Sequence, residues 1–217
     1  VSIYGDNIAR VSDVLDCWGE PGDGLTDWAA GLGYSWKQVR QHAADVGTHT
    51  HTVIETLLRG VGVQDYDAAH AAAYAAVEAA QAIPESMAAE VKIACAAFGQ
   101  WCEGKVIEPE HLEETIVDRV RGFGGTCDFK GLVNGKRCLL DWKTSKRTYP
   151  RHKVQIAAYA MLHELEHPDE PIEFFGVLRL DKRLGVAEDH WWRDLSVERK
   201  MFDVLLEVHR VGKMVKL

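Results

Sequence analysis

The succession of periodicities along the chain predicts a mixed α/β (α+β) fold, in the order helices, antiparallel strands, helix, strands, helix. Three observations carry that prediction. Ala-rich stretches at 67–81 and 85–102 fill much of the first half, and Ala is the best helix former and lets neighbours approach closely. After about residue 105 the pattern shifts to alternation and short β-branched runs. The pair Asn134-Gly135 then stands between two such runs, a strong hairpin signal. A chain of 217 residues with 47% hydrophobic content can bury one substantial core, so one domain is expected over 1–217. Its first part, 1–104, is mostly helical, and 105–217 forms a central sheet with flanking helices.

Taken in order, "IARVSDVLDCWG" sets Ile8, Val11, Val14 and Leu15 at helical spacing and stops in the glycines and proline of 19–24. "LTDWAAGLGY" is a short amphipathic piece, and Ser35 is placed to cap a helix over "WKQVRQHAA". "GTHTHTVIETLLRG" reads as a further helix ending at Gly60. Pro84 separates the two Ala-rich helices. "HLEETIVDRV", "GFGGTCDFKGLVNG" and "KRCLLDWKTS" form a three-stranded meander, "HKVQIAAYAMLHEL" returns to helical period, "PIEFFGVLRL" and "GVAEDHWWR" are two more strands, and a helix capped by Ser196 closes the chain.

Composition narrows the functional classes. No apolar stretch approaches the roughly 20 residues of a membrane helix, and "VSIYGDNIAR" has neither the basic start nor the apolar run of a secretory leader. No membrane partner is expected. Five scattered cysteines without a CxxC pair argue against a disulfide framework and fit a reducing cytoplasm. The net charge of −8 is unevenly spread: residues 1–116 balance at −12 and 117–217 at +4. A local basic field suffices to steer a polyanion.

The stretch "LLDWKTSK" puts Asp141 and Lys143 on one face of a strand. An ordinary surface ion pair accounts for that pattern by itself. Thirteen residues upstream, "GFGGTCD" ends in Asp128, and the intervening turn folds the strands so that the two carboxylates can converge. Converging carboxylates repel unless a cation intervenes, and hard oxygen ligands suit Mg2+ or Mn2+. With an ammonium beside them, such a set has the ingredients for phosphodiester hydrolysis.

These motifs together resemble the PD-(D/E)XK nuclease superfamily, in its RecB-like, phage-type exonuclease branch related to CRISPR-adaptation nucleases. "GTHTH" (47–51) is similar to that branch's GTxxH, "GGTCD" gives Asp128, "LLDWKTSK" gives the D-x-K pair, and "QIAAY" (155–159) is similar to QxxxY. The Pro of the superfamily name is absent before Asp128. The resemblance implies a restriction-endonuclease-like core and a metal held by His51, Asp128, Asp141 and the Trp142 backbone carbonyl. It implies Lys143 as the residue that positions or activates water. Gln155 and Tyr159, one helical turn apart, are then supporting residues; a half-buried polar stripe is the alternative. Glu55, one turn beyond His51, either bonds the imidazole or is a surface residue. Relatives often carry a glutamate on the strand before Asp128, and of Glu113 and Glu114 the spacing favours Glu114. The cations Lys146, Arg147, Arg151 and Lys153 follow the motif and are candidate phosphate contacts. The implied activity is a Mg2+- or Mn2+-dependent DNA exonuclease in recombination or DNA processing, with recombination proteins as possible partners. An endonuclease of the same superfamily and a DNA-end-binding subunit of a recombination or CRISPR-type complex are the alternatives. Some relatives bind an iron–sulfur cluster through C-terminal cysteines; no cysteine follows Cys138, so none is expected.

Overall fold

A computed structural model describes residues 8–18, 36–60, 75 and 83–215, and the account is confined to these. The elements are β1 (Ala9–Arg10), α1 (Val11–Leu15), α2 (Trp36–Gly60), α3 (Glu85–Cys102), β2 (Ile107–Asp118), β3 (Phe123–Val133), β4 (Lys136–Lys143), α4 (Pro150–Glu166), β5 (Phe174–Leu180), β6 (Ala187–Trp192) and α5 (Ser196–Met214). They build a mixed six-stranded sheet flanked by helices, compatible with a restriction-endonuclease-like core. No helix among the described residues is long and apolar enough to cross a membrane.

The meander is present as expected. β2 runs antiparallel along the length of β3, from Ile107 opposite Val133 to Asp118 opposite Phe123. Asn134 and Gly135 both take positive φ, 52° and 74°, as a two-residue primed turn requires, and return the chain as β4. β5 lies parallel to β4, with α4 as the crossover, and β6 closes the edge antiparallel to β5. Since β2 fills one edge of β3, its other edge is shared. β1 takes Phe123 and Gly124, while β4 takes Phe129 to Val133. Residues 125–128 between them face a gap.

Alternation sorts β4 between two helical layers. Cys138, Leu140 and Trp142 pack against α2 and α3 with Val46, Ile54 and Phe98. Leu139 packs on the other face with α1, α4 and α5, among Val14, Ile156 and Phe202. Each such fully buried apolar side chain contributes about 1.5–3 kcal/mol. The Trp142 ring meets Phe98 edge-on, with centroids 5.2 Å apart, which anchors the strand one residue from each charged motif side chain.

Three sequence expectations are corrected. "WKQVRQHAA" and "GTHTHTVIETLLRG" are one continuous helix, α2, with Gly47 inside it. A Cβ at Gly47 would lie 3.3 Å from Thr144 Oγ1, so the glycine admits α2 close to the end of β4. The helix tolerates its run of threonines because Thr48, Thr50, Thr52 and Thr56 each donate a hydroxyl to the carbonyl four residues back. Ala9–Arg10 is strand rather than helix, because the free edge of β3 takes it up. Ser196 is the first residue of α5 rather than its cap; Asp194 accepts from both its N–H and its hydroxyl. The expected helix over 67–81, the piece "LTDWAAGLGY" and the Ser35 cap lie outside the described residues.

Gly125 gives a direct test of this packing. An added Cβ would lie 2.7 Å from Tyr159 Cε1 and 3.0 Å from Val11 Cγ2. Gly125→Ala is expected to lower stability by about 1–3 kcal/mol in thermal or urea unfolding; an unchanged midpoint would show that α4 is not seated on β3 as described.

Candidate active site

The site forms where β3 and β4 part. Their ladder ends at Phe129 opposite Leu140, so Asp128 and Asp141, next in register, are not paired by backbone. Instead the Trp142 N–H donates to Asp128 Oδ2 at 2.7 Å, and a side chain replaces a ladder bond. An extended residue presents its N–H and C=O to the same edge, so the Trp142 carbonyl also faces this gap. Asp128 and Asp141 are 7% and 1% exposed, so both carboxylates are withdrawn from water.

Lys143 shares the face of Asp141, as expected from β alternation, and its ammonium is in ion-pair contact with Asp141 Oδ2. That oxygen is buried, and the Lys143 ammonium is the positive charge that faces it. From the opposite layer, α2 brings His51, whose Nδ1 lies 3.4 Å from Asp128 Oδ1. A further acid approaches from β2. Glu113 Oε1 is 3.9 Å from His51 Nδ1, and it is buried without a hydrogen-bond partner. His51, Glu113 and Asp128 each offer a ligand atom within 4.8 Å of the others.

Glu113 arrives by a local distortion. A bulge between Pro109 and His111 shifts the β2–β3 register by one residue, and the flanking pairs Leu112–Phe129 and Glu114–Cys127 then set Glu113 across from Asp128. Its φ is 51°, in the left-handed region that costs a non-glycine residue of order 1–3 kcal/mol. Of the two glutamates, the structure brings Glu113 rather than Glu114 beside His51. Glu114 is bound to His111 and His167, away from His51.

Electrostatics follow from burial and crowding. Burial, then repulsion from Asp128, pushes Asp141 up to about 6 although Lys143 opposes it. Burial, then Asp128, pushes Glu113 up to about 7. For Asp128 burial also acts upward, but His51, Lys143 and the Trp142 N–H together hold it below the usual carboxylate range. Burial works against charge on His51, and Asp128 outweighs it, so the imidazole is raised. Near neutral pH Asp141 and Glu113 are therefore partly protonated, and added positive charge in the gap would favour their ionised forms.

Other anticipated residues divide. Gln155 Nε2 donates to the Tyr159 hydroxyl at 2.7 Å, and Tyr159 is buried, its phenol raised by burial and by Asp141 and Asp128. Glu55 bonds Arg59 at 2.9 Å rather than the imidazole, which faces Asp128 and Glu113. Arg151 pairs with Asp16 and Lys153 with Glu198, at 2.9 and 2.8 Å, so structural acids engage both. Lys146 and Arg147 are exposed. His152 was not anticipated. It is buried in the first turn of α4, and burial, then Lys143 and Arg151, pushes it down to about 3, keeping it neutral. Its Nδ1 accepts from the Tyr149 N–H. Its place before the Gln155 motif was the only signal, and a histidine at a helix start has ordinary explanations.

No family model matches the chain, and no curated protein matches it. Among solved structures it is similar to a protein described as SSO0001, at 12% identity and a TM-score of 0.40, covering 95% of this chain and 77% of that one. It is also similar to an alkaline exonuclease, LHK-Exo, from Laribacter hongkongensis, at 15% identity and a TM-score of 0.35, covering 76% and 90%. The same enzyme in complex with dAMP gives 14% identity and a TM-score of 0.35, covering 76% and 93%. Overlaps of this size transfer no activity, and function is read from the site itself.

The donor set fits a hard divalent cation. Glu113, whose buried Oε1 has no hydrogen-bond partner, makes with Asp128 and the His51 imidazole a clustered donor set, and the Asp141 carboxylate beside Lys143 adds a further oxygen ligand to the gap. Without such an ion, raised carboxyl groups hold protons that the unfolded chain has released, so stability falls as pH rises between about 4 and 7. His51, also raised, acts in the same direction. Glu113→Gln with Asp141→Asn is therefore expected to raise the metal-free melting temperature at pH 7.5 more than at pH 5, at roughly 2–4 °C per kcal/mol. It should also abolish the stabilisation given by Mn2+. Differential scanning fluorimetry checks both; equal shifts at the two pH values would contradict it.

Proposed function

We propose that the chain is a metal-dependent deoxyribonuclease, hydrolysing phosphodiester bonds at DNA ends. The observation that carries the reading is the convergence of Asp128, Asp141, Glu113, His51 and Lys143 on the gap between β3 and β4. Crowding of this kind is unfavourable in an empty interior and favourable around a cation that a phosphate also seeks.

In this reading Asp128, Asp141, Glu113 and His51 hold Mg2+ or Mn2+, with the Trp142 carbonyl as a further ligand. When bound, the ion supplies a water of lowered pKa and charge neutralisation on the phosphoryl oxygens. The protein does the rest. Lys143 brings a fixed positive charge beside Asp141 to the position where phosphate charge accumulates. Asp128, pinned by the Trp142 N–H, stays ionised and cannot rotate out of the gap. Tyr159 accepts a hydrogen bond from Gln155, which leaves the phenolic proton free to be donated to substrate or to a carboxylate. Neutral His152 lies close enough to Lys143 to feel its charge, and it presents an imidazole rather than a competing cation. Lys146 and Arg147, exposed just after β4, are in this reading contacts to the DNA backbone.

Cleavage from ends, and a role in recombination or DNA processing, rest on the resemblance of the four motifs to RecB-like exonucleases. End-labelled linear DNA and covalently closed plasmid separate the two modes of attack. Linear DNA is expected to be degraded with Mg2+ or Mn2+ and not with chelator, and closed circles are expected to survive. Cleavage of circles would convert the reading to an endonuclease. Lys143→Ala and Asp141→Ala are each expected to lower the cleavage rate by at least about 100-fold while DNA affinity changes little. Failure of the unsubstituted protein with Mn2+ to degrade either single- or double-stranded DNA would overturn the nuclease reading.

A further inference from the structure

Glu114 leads to a second constellation. It follows Glu113 on β2, but its carboxylate lies with imidazoles at the far end of α4. His111 Nδ1 and His167 Nε2 approach the same oxygen, Glu114 Oε1, at 3.0 and 2.9 Å. The three ligand atoms fall within 4.8 Å of one another. The group is half-buried, with side chains 36%, 21% and 17% exposed for His111, Glu114 and His167.

Two features set it apart from a chance polar cluster. Glu114 pairs with no lysine or arginine among the described residues, while Glu110 nearby on the same strand is paired with Arg137 and Lys130. Its only counter-groups are imidazoles, which are not permanent cations. The imidazoles are also held in place. The His167 N–H caps α4 on the His163 carbonyl at 2.7 Å, and the His163 ring stacks on His167 with centroids 5.1 Å apart. His163 is itself fixed through Nε2 to the Glu170 carbonyl at 2.8 Å.

We propose that His111, Glu114 and His167 form a second metal site, for a borderline dication of the zinc class. Two imidazole nitrogens and one carboxylate oxygen are ligands that Zn2+ favours, with water completing a tetrahedron. The oxygen-rich set around Asp128 suits a harder ion, so the two centres select differently. An ion here ties β2 to the C-terminal end of α4. β2 carries Glu113 one residue away, and α4 carries Gln155 and Tyr159, so occupancy braces two of the walls of the other centre. The inference stands independently of the nuclease reading.

The test uses the full, untagged chain carrying Asp128→Asn and Asp141→Asn, which removes the competing centre, and reads metal binding rather than cleavage. Equilibrium dialysis with zinc is expected to show one ion bound per chain at micromolar free metal, with a raised melting temperature. Cobalt is expected to give the intense visible bands of a tetrahedral site. Adding Glu114→Gln or, separately, His167→Ala is expected to weaken zinc binding by more than about 100-fold and to abolish those bands, with far-UV circular dichroism unchanged. Undiminished zinc affinity in both substituted proteins, or no zinc bound before substitution, overturns the proposal. Should one substitution unfold the chain, the other decides.

Discussion

The hydrogen bond from the Trp142 N–H to Asp128 Oδ2 is the contact on which the arrangement depends. Two antiparallel strands that separate leave backbone groups unpaired, and a buried unpaired N–H costs about 1–3 kcal/mol. Asp128 removes that penalty with a side chain, so β4 can part from β3 beyond Leu140, while staying paired with β5 through Lys143, without an orphaned donor. The same bond fixes one carboxylate oxygen and turns the other toward His51. Through the opening, groups from both helical layers meet: Asp141, Lys143 and Tyr159 from the α4 side, His51 from α2. A continuous sheet would have kept them apart.

The rest of the centre is assembled against local preference. Glu113 sits in a left-handed conformation that asparagine or glycine would adopt more readily. Asp141 and Glu113 are held where ionisation is disfavoured, and Glu113 leaves an oxygen without a hydrogen-bond donor. Polar groups away from the gap show the contrast: the α2 threonines bond within their helix, and Arg179 is clamped between Asp181 and Glu188. A left-handed glutamate and two raised, crowded carboxyl groups meeting in one gap are what a site shaped for a ligand looks like.

Much of this was legible in the sequence because it follows from local periodicity. Alternation in "LLDWKTSK" assigns Asp141 and Lys143 to one face and Trp142 to the other, and Asn134-Gly135 dictates the hairpin that aligns Asp128 with Asp141. The spacing of Gln155 and Tyr159 gives their shared helix face. What escaped depends on tertiary context. Glu113 displaces Glu114 because of a one-residue bulge and a positive φ, neither written in "HLEETIVD". Glu55 is claimed by Arg59, and Arg151 and Lys153 by Asp16 and Glu198, because ion pairing is settled by which elements dock. The continuity of α2 through Gly47 was hidden by reading the glycine as punctuation, when close approach to Thr144 explains it.

The central claim is that the gap between β3 and β4 holds carboxyl groups that, near pH 6.5, are partly protonated and ionise fully when a divalent cation arrives. Isothermal calorimetry of Mn2+ binding in buffers of different ionisation enthalpy measures the protons released on binding. With Asp141 raised to about 6, Glu113 to about 7 and His51 raised as well, binding near pH 6.5 is predicted to release at least about one proton per ion. The release is predicted to fall toward zero well above neutrality. Mn2+ binding with no proton release near pH 6.5, or no binding at all, would contradict the account.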